Sequence, residues 1–306
     1  MRVSTSSQYD DLKGRLIDVQ SEYYRKQQQI GSGKEIQNRS EDPIAGAETA
    51  NILRQAQETE QFIDNVDDSK SWSMATQNKV QNLVELLQKA NELTTTANNG
   101  THPSELRQGL GEELDAIIEQ VFEISESKFA GVFLFSGTDT GNAPLTATRD
   151  ADGRITSAAL NSDADTALRK TQINENSVIT YGDMIGGTDG LLIATGSGVD
   201  VVANLIAIRD ELLLGNAPVS ADVTELEDEM DHVIGHLTTN GVTQQWLESQ
   251  GSRLIQEREV QVRQLEQVQS ADLAASMTEL AQLQTTYQAT MQMINSTNSM
   301  SILNYL

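Results

Sequence analysis

Apolar residues near both ends of the chain recur at alternating intervals of three and four residues, the spacing typical of coiled-coil helices. Lys26 interrupts the first stripe, and Gly31-Ser32-Gly33 predicts the end of its helix. A lone amphipathic helix of about 25 to 30 residues is only marginally stable in water. We therefore predict that the two terminal helices pack on each other or on neighbouring subunits. The stripes consist of Tyr9, Leu12, Leu16, Val19, Tyr23 and Ile30, and of Leu273, Met277, Leu280, Tyr287, Met291 and Ile294.

The residues from Ser40 to Ile124 predict a helical hairpin. Ser40-Glu41-Asp42-Pro43 is typical of a helix start, because Ser or Asp side chains cap free amides and proline suits the first turn. Asn98-Asn99-Gly100 predicts the end of this long helix, and a third helix should return antiparallel after Pro103. The apolar positions are Ile52, Ala56, Thr59, Ile63, Val66, Val80, Val84 and Leu87 in the long helix, and Leu106, Leu110, Leu114, Ile117, Val121 and Ile124 in the third.

Short β-prone runs and turn residues dominate from Val132 to about Val199. A hairpin turn is predicted at residues 150–154, and the glycine clusters Gly186-Gly187 and Gly196-Ser197-Gly198 predict further turns or loops.

Helical periodicity resumes at Val201, and a second long helical stretch covers residues 222–268. Asn240-Gly241 locally favours a helix end, so the residues leave open whether this stretch breaks there.

We predict a mainly α protein with a small β-rich insertion: an elongated rod of long antiparallel and coiled-coil helices with paired termini. Three domains are expected, namely a terminal coiled-coil assembly domain (residues 1–42 with 271–306), a helical bundle (43–135 with 200–270) and a β-rich outer domain (136–199).

Composition narrows the function classes. The chain of 306 residues has 21 Lys and Arg against 45 Asp and Glu, a net charge of −24 that disfavours nucleic acid and anionic membranes as partners. Nearly all of the excess negative charge lies in residues 43–272, whereas Glu279 is the only charge in residues 273–306. The absence of cysteine excludes disulfides, thiolate metal sites and cysteine nucleophiles. No apolar stretch is long enough to suggest membrane insertion.

Candidate catalytic chemistry is weak. His232 and His236 lie four residues apart on a predicted helix, the spacing at which two imidazoles share one face for zinc. Val233 stands where the metalloprotease pattern requires Glu, so solvated histidines on a helix face are favoured. Runs that begin at Asp150 and Asn161 resemble calcium loops but lack the glutamate required at the twelfth position, which favours turns. We expect no enzyme, no metal and no cofactor.

Several local motifs, in order along the chain, resemble the flagellin superfamily of bacterial flagellar axial proteins, and specifically its junction-protein branch. Residues 30–34 (IGSGK) with 40–47 (SEDPIAGA) are similar to the family's SGK and SDDP segments, and residues 133–140 (FLFSGTDT) to its entry into a variable domain. Residues 250–254 (QGSRL), 270–274 (SADLA) and 301–306 (SILNYL) are similar to its later motifs. The resemblance covers the helical parts and leaves residues 146–200 unmatched.

This resemblance implies a structural adaptor subunit of the bacterial flagellum, which joins the hook, through the other hook-filament junction protein, to the flagellin filament. It also implies an extracellular location, type III export without a cleaved signal peptide, an export chaperone as a partner before assembly, and self-association in a ring or helical layer. Folding of the termini should be coupled to assembly. The expected partner-binding residues are Leu12, Leu16, Val19, Tyr23, Ile30, Leu273, Met277, Leu280, Tyr287, Met291, Ile294, Leu303, Tyr305 and Leu306.

Two other functions remain open at this point. A flagellin-type subunit that forms the bulk of the filament would share the helical plan. A signalling coiled coil would also show heptads, but it should dimerise in dilute solution with all its helices formed.

Overall fold

The computed structural model describes residues 2–36, 41–99, 102–161 and 167–303. Within these ranges it contains six helices and nine short strands, which confirms the mainly α class with a small β insertion. The helices are α1 (Arg2–Ser32), α2 (Pro43–Ala97), α3 (Ser104–Ser125), α4 (Val201–Leu213), α5 (Ser220–Gln269) and α6 (Leu273–Leu303). The strands are β1 (Lys128–Phe129), β2 (Val132–Phe133), β3 (Leu145–Arg149), β4 (Ile155–Leu160), β5 (Arg169–Asn174), β6 (Ser177–Tyr181), β7 (Gly186–Gly187), β8 (Ile193–Ala194) and β9 (Val199–Asp200).

The helix ends follow from local chemistry. Gly33, directly after α1, has a φ of 69°, a left-handed conformation that glycine adopts without steric cost. The side chain of Asp42 caps α2, since its Oδ1 accepts hydrogen bonds from the amides of Ile44 and Ala45 at 2.9 and 3.0 Å. The predicted starts and ends of the first three helices are therefore confirmed to within a few residues.

The chain divides into two compact units. One unit comprises Met1–Glu58 and Glu257–Leu306, and the other comprises Thr59–Gln256. Helices α2 and α5 each contribute residues to both units. The three-domain division expected from composition stays a prediction.

The unit of residues 59–256 has one large apolar core and a smaller separate cluster formed by Ile63, Val66, Ile173, Leu247 and Leu254. Helices α3 and α4 pack directly on each other. Of the heptad positions predicted for α2, Val80, Val84 and Leu87 lie in the large core, whereas Ile63 and Val66 lie in the smaller cluster. In α3, Leu106 is exposed, and the other predicted positions lie in or against the large core. The β3–β4 hairpin joins it through Leu145 and Ile155, which are almost completely buried. Core residues at the predicted positions include Val80, Val84, Leu87, Leu114, Ile117, Val121, Val201, Val202, Leu205, Ile208 and Leu212.

A buried arginine fastens this hairpin to the helices. The guanidinium of Arg209 on α4 is 3% exposed, and it contacts Asp115 Oδ1 at 2.8 Å and the carbonyl of Ile155 at 2.6 Å. At the hairpin turn, Arg154 pairs with Glu112 at 2.7 Å, and Arg149 pairs with Glu119. Charge pairing therefore adds to apolar packing where the β insertion meets α3.

The small sheets are mostly hairpins. Strands β1–β2, β3–β4 and β5–β6 pair antiparallel, while β7, β8 and β9 form a three-stranded sheet in which β7 and β8 are parallel. The prediction of a turn at Gly186-Gly187 is wrong, because these residues form β7 and the carbonyl of Gly187 accepts a hydrogen bond from the amide of Thr195 at 2.8 Å. The turn predicted at residues 150–154 is confirmed: Asp150 Oδ1 accepts from the amides of Asp152 and Arg154.

Helix α5 runs without a break through Asn240-Gly241. Asn240 is 5% exposed, and its Nδ2 donates to the carbonyl of Ser73 on α2 at 3.1 Å, while the Ser73 hydroxyl donates to Asn240 Oδ1. Because α2 satisfies this side-chain amide, it does not compete for backbone groups of α5. Residues 162–166 of the second calcium-like run lie outside the described residues. No helix in the described ranges is long and apolar enough to cross a membrane.

Candidate assembly surface

The two terminal helices lie side by side and antiparallel. Near one end of the pair, Lys26 Nζ of α1 lies 2.5 Å from Glu279 Oε2 of α6. Further along, Leu12 and Val19 of α1 line a groove of about 480 Å³ together with residues up to Met293 of α6. The predicted pairing of the termini is thus present within a single chain.

Backbone hydrogen bonds join the segment after α1 to the segment before α6. The amide of Glu35 donates to the carbonyl of Gln269 at 2.7 Å, and the amide of Ala271 donates to the carbonyl of Gly33 at 3.0 Å. Lys34 and Ser270 form an antiparallel bridge between these two bonds. The end of α1 is therefore held at the start of α6.

The ion pair favours the observed register of the two helices. Lys26 is the residue that interrupts the apolar stripe of α1, and Glu279 is the only charged residue in the last 34 positions. The Lys26 side chain is 20% exposed and that of Glu279 is 53% exposed. A one-turn slip of α6 would leave Lys26 partly buried without its counter-charge, which disfavours other registers.

The predicted partner-binding residues occupy two environments. Leu12, Leu16, Val19, Tyr23, Ile30, Leu280, Tyr287 and Ile294 are half-buried, whereas Leu273, Met277 and Met291 are exposed. None of these eleven residues, all within the described part of the chain, is fully buried. Leu303 ends α6, but its side chain, like all of Tyr305 and Leu306, lies outside the described residues. Partner binding by this set stays a prediction.

Other large apolar residues of α1 and α6 are exposed but were not among the predicted partner-binding residues. Ile17 and Tyr24 are more than half exposed and lie seven residues apart, directly beside the stripe positions Leu16 and Tyr23. A second heptad column was therefore visible in the sequence. We call the exposed apolar residues of this helix pair the uncovered set: Tyr9, Ile17, Tyr24, Leu273, Met277, Met291 and Met293.

Four threonine hydroxyls of α6 are satisfied within the helix. The hydroxyls of four threonines each donate to the backbone carbonyl four residues earlier, at 2.8 to 3.0 Å. A threonine bonded in this way needs no outside partner when a neighbour covers it. These residues are Thr278, Thr285, Thr286 and Thr290.

The histidine pair was predicted to be solvated, and this is wrong. Both rings are half-buried against residues 183–190, with His232 Nε2 at 3.0 Å from the carbonyl of Gly190 and His236 Nδ1 at 2.9 Å from Asp183 Oδ1. The hydrogen bond to Asp183 is the largest cause of a raised pKa at His236, and burial opposes it. The sequence of α5 alone gave no sign of these loop partners.

Several known proteins are similar to this chain. Residues 3–140, which contain α1, α2 and α3, match the family model of the bacterial flagellin N-terminal helical region. The fold agrees with a solved structure of a putative flagellar hook-associated protein from Vibrio parahaemolyticus, with a TM-score of 0.64, 18% identity, and coverage of 75% of this chain and 100% of that chain. A flagellar hook associated protein-3 from Legionella pneumophila gives 0.57 at 12% identity, over 72% of this chain and 98% of that one. These two likenesses show the fold alone.

Sequence similarity points to one member of that class. Flagellar hook-associated protein 3 of Salmonella typhimurium is 28% identical over 152 residues, which cover 47% of this chain and 46% of that protein. The matched part thus spans about half the length of this curated relative. The resemblance to the flagellin superfamily, and within it to hook-associated protein 3, is confirmed.

Proposed function

We propose that this chain is a structural adaptor of the bacterial flagellum, which joins the hook to the flagellin filament through α1 and α6. Its partners would be the other hook-filament junction protein, flagellin, and further copies of itself in a ring or helical layer. The uncovered set is the observation that supports this proposal most strongly. The proposal includes no catalytic step.

The helix pair leaves part of its own apolar surface exposed. Seven large apolar side chains, the uncovered set, are between 39% and 56% exposed on α1 and α6. Several large exposed apolar side chains on one helix pair favour an interaction site over a solvated surface. Two helices of 31 residues with half-buried stripes also gain little stability from each other alone, so neighbours would complete their packing.

The chemistry of α6 suits burial between subunits. A charge or an unpaired hydroxyl inside an interface costs free energy because it loses water without gaining a partner. Helix α6 has one charge, which Lys26 pairs, and its four threonine hydroxyls named above bond to its own backbone. Close packing of several copies would therefore leave neither this charge nor these four hydroxyls without a partner.

The distribution of charge also favours assembly through the termini. Nearly all of the net charge of −24 belongs to residues 43–272, so the nearly neutral terminal segments can approach one another with little repulsion. Before assembly, the same uncovered apolar helix would suit a chaperone that binds an amphipathic helix in a groove. We propose an extracellular location after type III export without a cleaved signal peptide.

Substitution of the uncovered set tests this function. Met277→Glu and Ile17→Glu should leave the helix content of the purified chain unchanged, because both side chains are exposed, and should abolish filament attachment in a strain that lacks the native copy. Met74→Glu is the matched control, since Met74 on α2 is also half-exposed but belongs to the unit of residues 59–256. Full motility with Met277→Glu would contradict the proposal.

Two further variants extend the test into the predicted set. Deletion of residues 303–306, or charges at Leu280 and Tyr287, should also block assembly while the unit of residues 59–256 stays folded. The alternative, a flagellin-type filament subunit, also agrees with the family match of residues 3–140. Assembly of the purified chain into long filaments without a nucleating junction would favour that alternative.

A further inference from the structure

A cluster of histidines and carboxylates joins α5 to the loop that precedes β8. It consists of His232 and His236 from α5, of Asp189 from the loop between β7 and β8, and of Asp183 from the segment between β6 and β7. One nitrogen of each imidazole and one oxygen of Asp189 lie within 4.8 Å of one another, and the two rings are 4.7 Å apart. We propose that Asp189, His232 and His236 bind a divalent transition-metal ion of the Zn²⁺ class, which cross-links this loop to α5.

The donor set and its spacing fit zinc. Two imidazoles and one carboxylate are typical zinc ligands, with a fourth position left for water. With zinc bonds of about 2.0 to 2.1 Å, neighbouring ligand atoms of a tetrahedral site lie about 3.4 Å apart. His236 Nε2 and Asp189 Oδ1 are 3.7 Å apart, and the Asp189 side chain is 83% exposed. Rotation of this exposed side chain can therefore bring its oxygen to the bonding position.

Both histidines have the outer partners that metal-binding histidines usually have. A ligating histidine typically donates its second ring N–H to a carboxylate or a backbone carbonyl, which fixes the tautomer. Asp183 Oδ1 lies 2.9 Å from His236 Nδ1, and the Gly190 carbonyl lies 3.0 Å from His232 Nε2. If His236 Nδ1 donates to Asp183, the lone pair of His236 Nε2, the nitrogen that lies 3.7 Å from Asp189 Oδ1, stays available for the metal. If His232 Nε2 donates to Gly190, His232 must bind the metal through Nδ1.

The surroundings also favour a cation. Asp183 Oδ2 is buried without a hydrogen-bond partner among the described residues, which leaves negative charge next to His236. The cluster borders an open cavity of about 970 Å³, through which an ion can enter. Calcium and magnesium prefer oxygen ligands, so the two imidazoles favour a transition metal over either.

Calorimetric titration of the full chain with Zn²⁺, in the presence of excess Mg²⁺ to occupy weak acidic surface sites, tests the proposal. We expect one site per chain, and at least about tenfold weaker binding for His232→Ala, His236→Ala and Asp189→Asn. His102→Ala and Asp228→Asn are matched controls. The first removes a histidine outside the cluster, and the second removes an exposed acid of α5, the helix that carries His232 and His236. Both variants should bind Zn²⁺ as the unchanged chain does.

Asp183 acts as a positioning residue in this proposal. Asp183→Asn should retain one zinc site per chain but weaken it by about 10 to 100-fold, because the outer hydrogen bond remains while its charge is lost. Asp183→Ala should weaken binding further. A merely structural role would change thermal stability equally with and without zinc.

Two results would overturn the proposal. One is the absence of a Zn²⁺ site in the unchanged chain under excess Mg²⁺; the other is equal weakening by the control substitutions. If a histidine variant fails to fold, X-ray absorption at the zinc edge of the loaded unchanged chain decides the matter. Two imidazole ligands support the site, and oxygen ligands alone refute it.

Discussion

The buried carboxyl of Glu229 should make the stability of the unit of residues 59–256 depend on pH. Glu229 lies on α5 and is 1% exposed. Its Oε2 accepts a hydrogen bond from Asn204 Nδ2 at 2.9 Å. Burial is the main cause of its raised pKa, about 7 instead of 4.5, with Glu225 adding repulsion.

The sign follows from the protonation states. Because the folded chain holds this proton more tightly than the unfolded chain, folding stability is greatest below about pH 4.5, falls as the pH rises towards 7, and then levels off. A shift of one pKa unit corresponds to about 1.4 kcal/mol, so the full loss is about 3 kcal/mol. Roughly 1 kcal/mol of this is already lost at about pH 5 and the rest by about pH 8.

Urea unfolding followed by tryptophan fluorescence measures this effect, since Trp72 and Trp246 both lie in this unit. Between pH 5 and pH 8, the free energy of unfolding of Glu229→Gln should fall by about 2 kcal/mol less than that of the unchanged chain. Glu227→Gln, the same substitution at an exposed neighbour, should leave the dependence as it is. Parallel curves for the unchanged chain and Glu229→Gln would refute the reasoning.

Three further predictions concern the ion pairs and the dynamics. Arg209→Met should destabilise the unit of residues 59–256 by about 3 to 5 kcal/mol in urea unfolding, because Asp115 and the Ile155 carbonyl lose a buried partner. A loss of stability below about 1 kcal/mol would contradict this prediction. Lys26→Glu should speed proteolysis of α6, and the double variant with Glu279→Lys should restore protection. Because Glu279 is exposed, the loss of the ion pair should cost only about 1 kcal/mol. Failure of the double variant to restore protection would argue against the observed register. Backbone amides of α1 and α6 should exchange with deuterium faster than those of α3 and α4, because their side chains are at most half-buried in the middle of each helix; equal protection in the isolated chain would contradict this.

The helices were predictable because their signals are local. Heptad spacing, the proline of α2 and the glycine after α1 act within one or two turns, so they define the helices without knowledge of distant contacts. Asn240 shows the limit of such reasoning. Its local preference for a helix end is overruled by Ser73, which lies 167 positions away.

The candidate site was predictable in part for the same reason. The stripes predicted that α1 and α6 pack on each other or on neighbouring subunits. Ile17 and Tyr24 form a second heptad column beside the first stripe, so the sequence also contains a local signal for these two residues. The loop partners of His232 and His236 come from residues 183–190, so the spacing on α5 could not reveal them. Strand β7 has only two glycines and pairs in parallel, which gives no periodic signal.

The central claim is that this chain joins the hook to the filament rather than forming the filament itself. Antibody labelling of detached flagella tests it most directly. The adaptor function predicts label confined to one spot at the hook end of each filament. Label along the whole filament would contradict it.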